Sequence, residues 1–263
     1  MERSVNQKKP IRMSTTMAAA EQGGACIRTV LVLDPAPKRL GYLHARVDAA
    51  AKRVEVTEWG VKDLGIRRRD DVYAAVVGFL HDTICARLGA PDAAVVENQV
   101  AHASFASASK AIQHAACAYF EARNRLTPAP PNAVTAVTVA DPRGKLRLAA
   151  EILKATDAAA PSAAAAAEPA AAAEPAAAAE PAAAEPALTP ALTPAAAAKQ
   201  AEKDSRARYR NNKRIAVAAV TRLLPGSAVL ADAKKKDDIS DCALLLLQHV
   251  GFRPDDGWTV TAP

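Results

Sequence analysis

The run over residues 28–34, R-T-V-L-V-L-D, is continuously apolar and β-branched, which predicts a central strand buried on both faces and closed by Asp34. Residues 41–48 and 52–58 follow at short spacing, the second alternating Val54 and Val56 with Glu55 and Thr57, and this predicts an antiparallel meander. Over 70–88, Val72, Ala75, Val76, Phe79, Leu80 and Ile84 recur at helical spacing, and Gly89 and Pro91 stop the helix. A short strand over 93–96 ends on Glu97, an alanine-rich helix spans 105–125, and alternation returns over 132–140 through Val134, Val137 and Val139. The order so far is βββαβαβ. Two further helices are expected over 212–224, stopped by Pro225-Gly226, and over 237–250, stopped by Gly251.

Two stretches fall outside this pattern. Residues 1–24 mix charge, Ser, Thr and Gly without periodicity and are expected to form a disordered basic arm. From 158 to 198 alanine alternates with Glu168-Pro169, Glu174-Pro175, Glu180-Pro181 and Glu185-Pro186, and then with Leu-Thr-Pro. Proline at that frequency denies alanine the uninterrupted turns that nucleate a helix, so the stretch reads as low-complexity linker. The chain is thus divided into an arm (1–24), the first part of a domain (25–155), an Ala/Glu/Pro insertion (156–203) and C-terminal helices (204–263). Sixty residues alone make a poor core, so the last segment is expected to complete the first domain.

Charge sharpens the picture. The chain carries a formal +6, and leaving out the four glutamates of residues 158–198 puts +10 on the other 222 residues. Such a balance points to an anionic partner, most simply nucleic acid. No apolar run reaches the 18 or more residues of a membrane helix, and no secretory h-region follows the polar N-terminus, so an intracellular protein is expected. Cys26, Cys85, Cys117 and Cys242 are scattered without a CxxC pair and read as reduced core thiols, while the five histidines lack ligand spacing.

Four acids stand where a strand ends or a helix begins: Asp34, Glu97, Asp238 and Asp241. Singly, the first three have ordinary readings as turn, strand-end and capping residues. Asp241 lies one turn inside a helix that continues C-A-L-L-L-L, and its i, i+3 spacing puts it on one face with Asp238. If the first and fourth strands are parallel neighbours, Asp34 and Glu97 share a sheet edge, and a helix packed there gathers four carboxylates. A self-repelling cluster of hard oxygen donors suits magnesium or manganese. Two such ions about 4 Å apart activate a water and stabilise the leaving oxygen of a phosphodiester.

The order βββαβα(β) with acids at these ends resembles the ribonuclease H-like nucleases, and the local sequence is similar to RuvC-type Holliday junction resolvases. Asp34-Pro35 with Gly41-Tyr42 resembles the family's first strand pair. Glu97 with Ser107-Ala108-Ser109-Lys110 and Gln113 resembles its second-acid segment, Lys213 with Arg222-Leu223-Leu224 its basic helix, and Asp238-Ile239-Ser240-Asp241 with His249 its ending. Lys234-Lys235-Lys236-Asp237-Asp238-Ile239-Ser240-Asp241 and Tyr209-Arg210-Asn211-Asn212-Lys213 look like the K-x-D-D-x-x-D and Y-R-x-x-K stretches of the poxvirus and large DNA virus branch. The resemblance implies an α/β ribonuclease H-like fold, a mixed five-stranded sheet flanked by helices and carrying the insertion. It implies a magnesium-dependent endonuclease, manganese substituting, that makes paired nicks in four-way DNA junctions as a homodimer, during recombination or viral genome processing inside an infected cell. Asp34, Glu97, Asp238 and Asp241 would bind two metal ions, with Asp237 as an alternate, and Lys213 would be a catalytic or phosphate-contacting cation. Lys110, Arg206, Arg208, Arg210, Lys213 and Arg214 would contact DNA. Ala36 and Pro37 stand where the family has glycine, and Val100 where it has an aromatic wedge; Phe105, nearby, reads first as a core aromatic at helical spacing and second as a substitute wedge. His249 is a further active-site candidate. The rival readings are a branched-DNA or DNA/RNA nuclease of looser choice and a noncatalytic DNA-binding module of the same fold.

Overall fold

The structure, a computed structural model, describes residues 27–68, 71–99, 106–126, 134–159, 194–232 and 236–263. The N-terminal arm, most of the insertion, Val100 and Phe105 lie outside the described residues.

Strand β1 (Ile27–Pro35) sends Val30 and Val32 to one face of the sheet and Leu31 and Leu33 to the other, all buried, as its unbroken apolar run requires. It pairs antiparallel with β2 (Arg39–Asp48), which pairs antiparallel with β3 (Arg53–Asp63). Helix α1 (71–88) follows, α-helical over Asp71–Gly78, π-wound over Phe79–Cys85 and α-helical again over Ala86–Leu88. Strand β4 (Ala93–Glu97) lies parallel to β1, and after helix α2 (Ala106–Leu126) strand β5 (Ala136–Ala140) lies parallel to β4. A side-chain clamp sets the β1/β4 register: Asp92 accepts from the Thr29 backbone N–H at 2.6 Å and from its hydroxyl at 2.8 Å. Five residues further along each strand, Asp34 and Glu97 therefore emerge at the same sheet edge.

Helix α3 (Arg143–Ala159) starts at Asp141, whose carboxylate accepts from the Arg143 N–H at 3.0 Å. Helices α4 (Pro194–Leu223), α5 (Ala228–Asp232) and α6 (Lys236–His249) complete the helical set. Helices α3, α4 and α6 cover one face of the sheet, with Ile152, Val220 and Leu244 in its core. Helices α1 and α2 cover the other, with Val76, Ile84, Ile112 and Phe120. The C-terminal segment thus packs on the first part of the chain.

Three expectations need correction. Among the described residues the sheet has six strands in the order β5-β4-β1-β2-β3-β6, because Thr259–Thr261 (β6) adds parallel to β3; three residues are too few to show alternation. Residues 143–159, outside the elements predicted from the apolar pattern, form α3. The basic helix begins at Pro194 rather than 212. Proline suits a first helical turn, and the alanines that follow it have the highest helix propensity, so residues 194–203, like 156–159, are helical.

Candidate active site

Asp34 ends β1 opposite Gly41 of β2, and Glu97 ends β4 beside it. Helix α6 brings its N-terminal turn across this edge because Gly41 leaves room: a Cβ there would stand 3.2 Å from the Asp238 carbonyl oxygen and from Cys242 Sγ, and 3.4 Å from Asp34 Cβ. The glycine is needed for close approach rather than for a turn. Asp241 apart, α6 is buried continuously from Ile239 to Leu247, which fixes the face that its acids present.

Two lysines stand among the carboxyl groups. Lys145, in the first turn of α3, is 6% exposed, and its Nζ donates to Glu97 Oε2 at 2.8 Å and lies 3.7 Å from Asp241 Oδ1. Lys213 of α4 donates to Asp241 Oδ2 at 2.6 Å and stands 3.6 Å from Asp237 Oδ2 and 3.9 Å from Asp238 Oδ1. Its Nζ also lies over the Tyr209 ring, 5.8 Å from the centroid. Asp241 is thus held between the two ammonium groups.

The electrostatics follow from crowding. Burial, then the charge of Glu97 and a hydrogen bond with it, hold the Asp34 carboxyl well above the usual carboxylate range, although Lys145 pulls the other way. Crowding at this sheet edge favours the protonated form of Asp34. Burial alone would lower both lysines, but Glu97, Asp241 and Asp34 raise Lys145, and Asp241 raises Lys213, so both stay charged. Cys242, wholly buried against the cluster, is pushed well up by burial and by Asp34 and is a neutral thiol.

Lys145 was missed in the sequence because its helix was. Asp141-Pro142 followed by Leu146, Leu148, Ala149, Ile152 and Leu153 is a helix-start signal that precedes an apolar face. Gln248 of α6 locks this helix in place. Its side chain lies where a Cβ on Gly144 would come within 2.6 Å of its Cδ, and its amide donates to the Asp141 carbonyl at 3.2 Å.

The structure brings Asp34, Glu97, Asp238, Asp241 and Lys213 together, and Asp237 stands at the rim. His249 does not join them. It lies eight residues past Asp241, about 12 Å along the helix axis, and burial alone lowers its pKa. Lys110 is not a free surface cation, because its Nζ donates to Asn98 Oδ1 at 3.2 Å and Gln113 Oε1 at 3.1 Å and so ties down the segment after Glu97. Arg206, Arg208, Arg210 and Arg214 are exposed along α4, Arg206 paired with Glu202 at 2.5 Å.

Metal ligation can be judged from the donor set. Five carboxyl groups converge on two ammonium groups, leaving an excess of negative charge on hard oxygen atoms, which fits divalent cations of the magnesium class. Among the described residues no three acidic, His or Cys side chains are already gathered as ligands around one point. Glu97 and Asp241 are instead turned to the lysines.

No protein-family model matches the chain, and no curated protein does. Solved structures are similar to it. The yeast mitochondrial Holliday junction resolvase shares 15% identity at a TM-score of 0.39 over 48% of this chain and 57% of that one. Thermus thermophilus RuvC in complex with a Holliday junction shares 18% at 0.33 over 47% and 68%. The fowlpox virus resolvase in complex with Holliday junction DNA shares 12% at 0.30 over 49% and 76%. The match spans little more than half the length of the yeast protein. The chain is an α/β protein with a mixed sheet flanked by helices on both faces, and its strand order β5-β4-β1-β2-β3, its antiparallel β2 and the acids at the ends of β1 and β4 are those the sequence resemblance implies.

Proposed function

We propose that this protein is a metal-dependent, structure-selective endonuclease that resolves four-way DNA junctions. The observation that carries the reading is the convergence of Asp34, Glu97, Asp238 and Asp241, from two strand ends and one helix, beside Lys145 and Lys213 in a basic chain. Those four carboxylates would hold the magnesium, manganese substituting, with Asp237 at the rim. The metal would supply an activated water and stabilisation of the leaving oxygen. Lys213, the more exposed of the two lysines, contributes a point charge to the phosphate under attack once its bond to Asp241 exchanges for one to DNA. Lys145 stays buried, orients Glu97 and Asp241, and keeps the cluster from repelling itself open.

Affinity comes from phosphate contacts by exposed cations of α4, among them Arg206, Arg210 and Arg214, and discrimination from junction shape and deformability. A homodimer would match the approximate two-fold symmetry of an open junction and place two incisions in register. The role is recombination or genome processing of a large DNA virus within the infected cell, a reading supported by the K-x-D-D-x-x-D segment.

The test incubates the protein with labelled four-way junctions, flaps and linear duplex, with and without magnesium. Magnesium-dependent cutting of the junction well above the others is expected. Equal cutting of linear duplex would favour a general nuclease, and binding without cutting would favour a noncatalytic module.

A further inference from the structure

Helix α4 runs well past the body of the protein. Its residues from Ile215 onward pack into the core, whereas residues 198–211 are all exposed, so this stretch projects as a spur. A spur with no apolar face is held up by propensity and charge, and alanine, lysine, arginine and glutamate suit that role.

The charges on it are not evenly spread. Lys199, Lys203, Arg206, Arg210 and Lys213 recur at spacings of four, three, four and three, which at about 100° per residue keeps them within about 80° of one another. Arg214 lies at the edge of this stripe. The opposite side carries Ala201, Asp204, Ser205 and Arg208. The inner end of the stripe is Lys213, whose ammonium group touches Asp241, so the row begins at the carboxylate cluster and runs outward for about 21 Å. The one acid bordering it, Glu202, pairs with Arg206, and both are mostly exposed, so phosphate can replace that contact at little loss.

From this alignment we infer that the spur is a phosphate rail: a duplex DNA arm lies along the Lys199–Lys203–Arg206–Arg210 stripe, which guides its backbone to the carboxylate cluster. The reach of about 21 Å corresponds to about six base pairs of axis at 3.4 Å each. The occupant is DNA because the stripe is purely cationic, the one exposed aromatic bordering it, Tyr209, lies against Lys213 and offers too little apolar surface to anchor a protein helix, and the stripe is continuous with the site at which a phosphodiester would be cut. The inference rests on the proposed function and specifies which side of the helix faces the substrate. Arg208, grouped with the other arginines by sequence, lies on the wrong side.

The test separates placement from net charge. One variant neutralises the stripe, Lys203→Gln with Arg210→Gln. A second carries the same changes together with Ala201→Lys and Ser205→Lys, which restores the charge on the opposite face. All four positions are exposed, so both variants should keep the parent melting temperature. Binding to a 20-base-pair duplex and to a four-way junction is followed against salt. Both variants should lose about 1.8 from the slope of log affinity against log salt, two phosphate contacts at about 0.9 each. A relocated variant that binds with the parent slope overturns the rail, because net charge then suffices. If the slopes change as expected while the parent protein cuts no DNA, the nuclease reading fails and the rail stands. If the parent cuts junctions and relocation leaves the slope intact, the reverse holds.

Discussion

Replacing Lys145 with methionine removes the buried cation at the centre of the site while keeping most of its volume. Its ammonium lies 2.8 Å from Glu97 Oε2 and 3.7 Å from Asp241 Oδ1. At an effective dielectric of about 20 these attractions are about 6 and about 4.5 kcal/mol before the cost of burying the charges is set against them. Removing one partner of a buried pair destabilises by about 3–5 kcal/mol, because the other charges are left unpaired, and that is the loss expected at pH 7. For a chain of this size it lowers the melting temperature by about 2–4 °C per kcal/mol. The pH dependence has a definite sign. Lys145 has a raised folded pKa, so its stabilisation is fully present below its ordinary value of 10.5 and is lost as pH rises through the raised one. In the variant the carboxyl groups face each other without it and prefer to be protonated. The deficit should therefore be full at neutral pH and shrink as pH falls toward about 4. Urea unfolding of both proteins from pH 4.5 to 8 measures this. Equal stability at pH 7, or a deficit that grows on acidification, would refute the ion-pair account.

Asp34→Asn should abolish cleavage yet raise stability at pH 7. The folded state holds this carboxyl above its unfolded pKa, which weakens folding as pH rises through that interval, and an amide removes the effect; a lower melting temperature would count against it. Gly41→Ala should slow cleavage by pressing on the Asp238 carbonyl and Cys242, with strand pairing retained; unchanged single-turnover rates would show that α6 need not sit so close. Lys213→Ala should lower the cleavage rate on fully bound junction, and an effect confined to affinity and salt slope would remove it from the chemistry.

The sequence was legible where one physical constraint acts alone. Val30 to Leu33 could only be a strand buried on both faces, and Asp238 and Asp241 could only share a helix face, so the chain order and the meeting of the acids followed. What stayed hidden depends on partners distant in sequence. Lys145 reads as one lysine among many until α3 is docked by Gln248, and its burial is set by Glu97, 48 residues away. The hydrogen bonds of Lys110 to Asn98 and Gln113, 12 and 3 residues away, likewise depend on how the segment after Glu97 folds back on α2. The extent of α4 was obscured because proline reads as a breaker, although Pro194 stands where a helix begins.

The central claim is that the carboxylate cluster cuts branched DNA. Its most direct test is a single-turnover assay on one labelled four-way junction with magnesium, comparing the parent protein with Asp241→Asn and measuring binding in parallel. The account predicts paired, religatable incisions by the parent, and undiminished binding with cleavage lost by at least a hundredfold in the variant, about 2.7 kcal/mol of transition-state stabilisation. Comparable cleavage by Asp241→Asn, or no magnesium-dependent cutting by the parent, would contradict it.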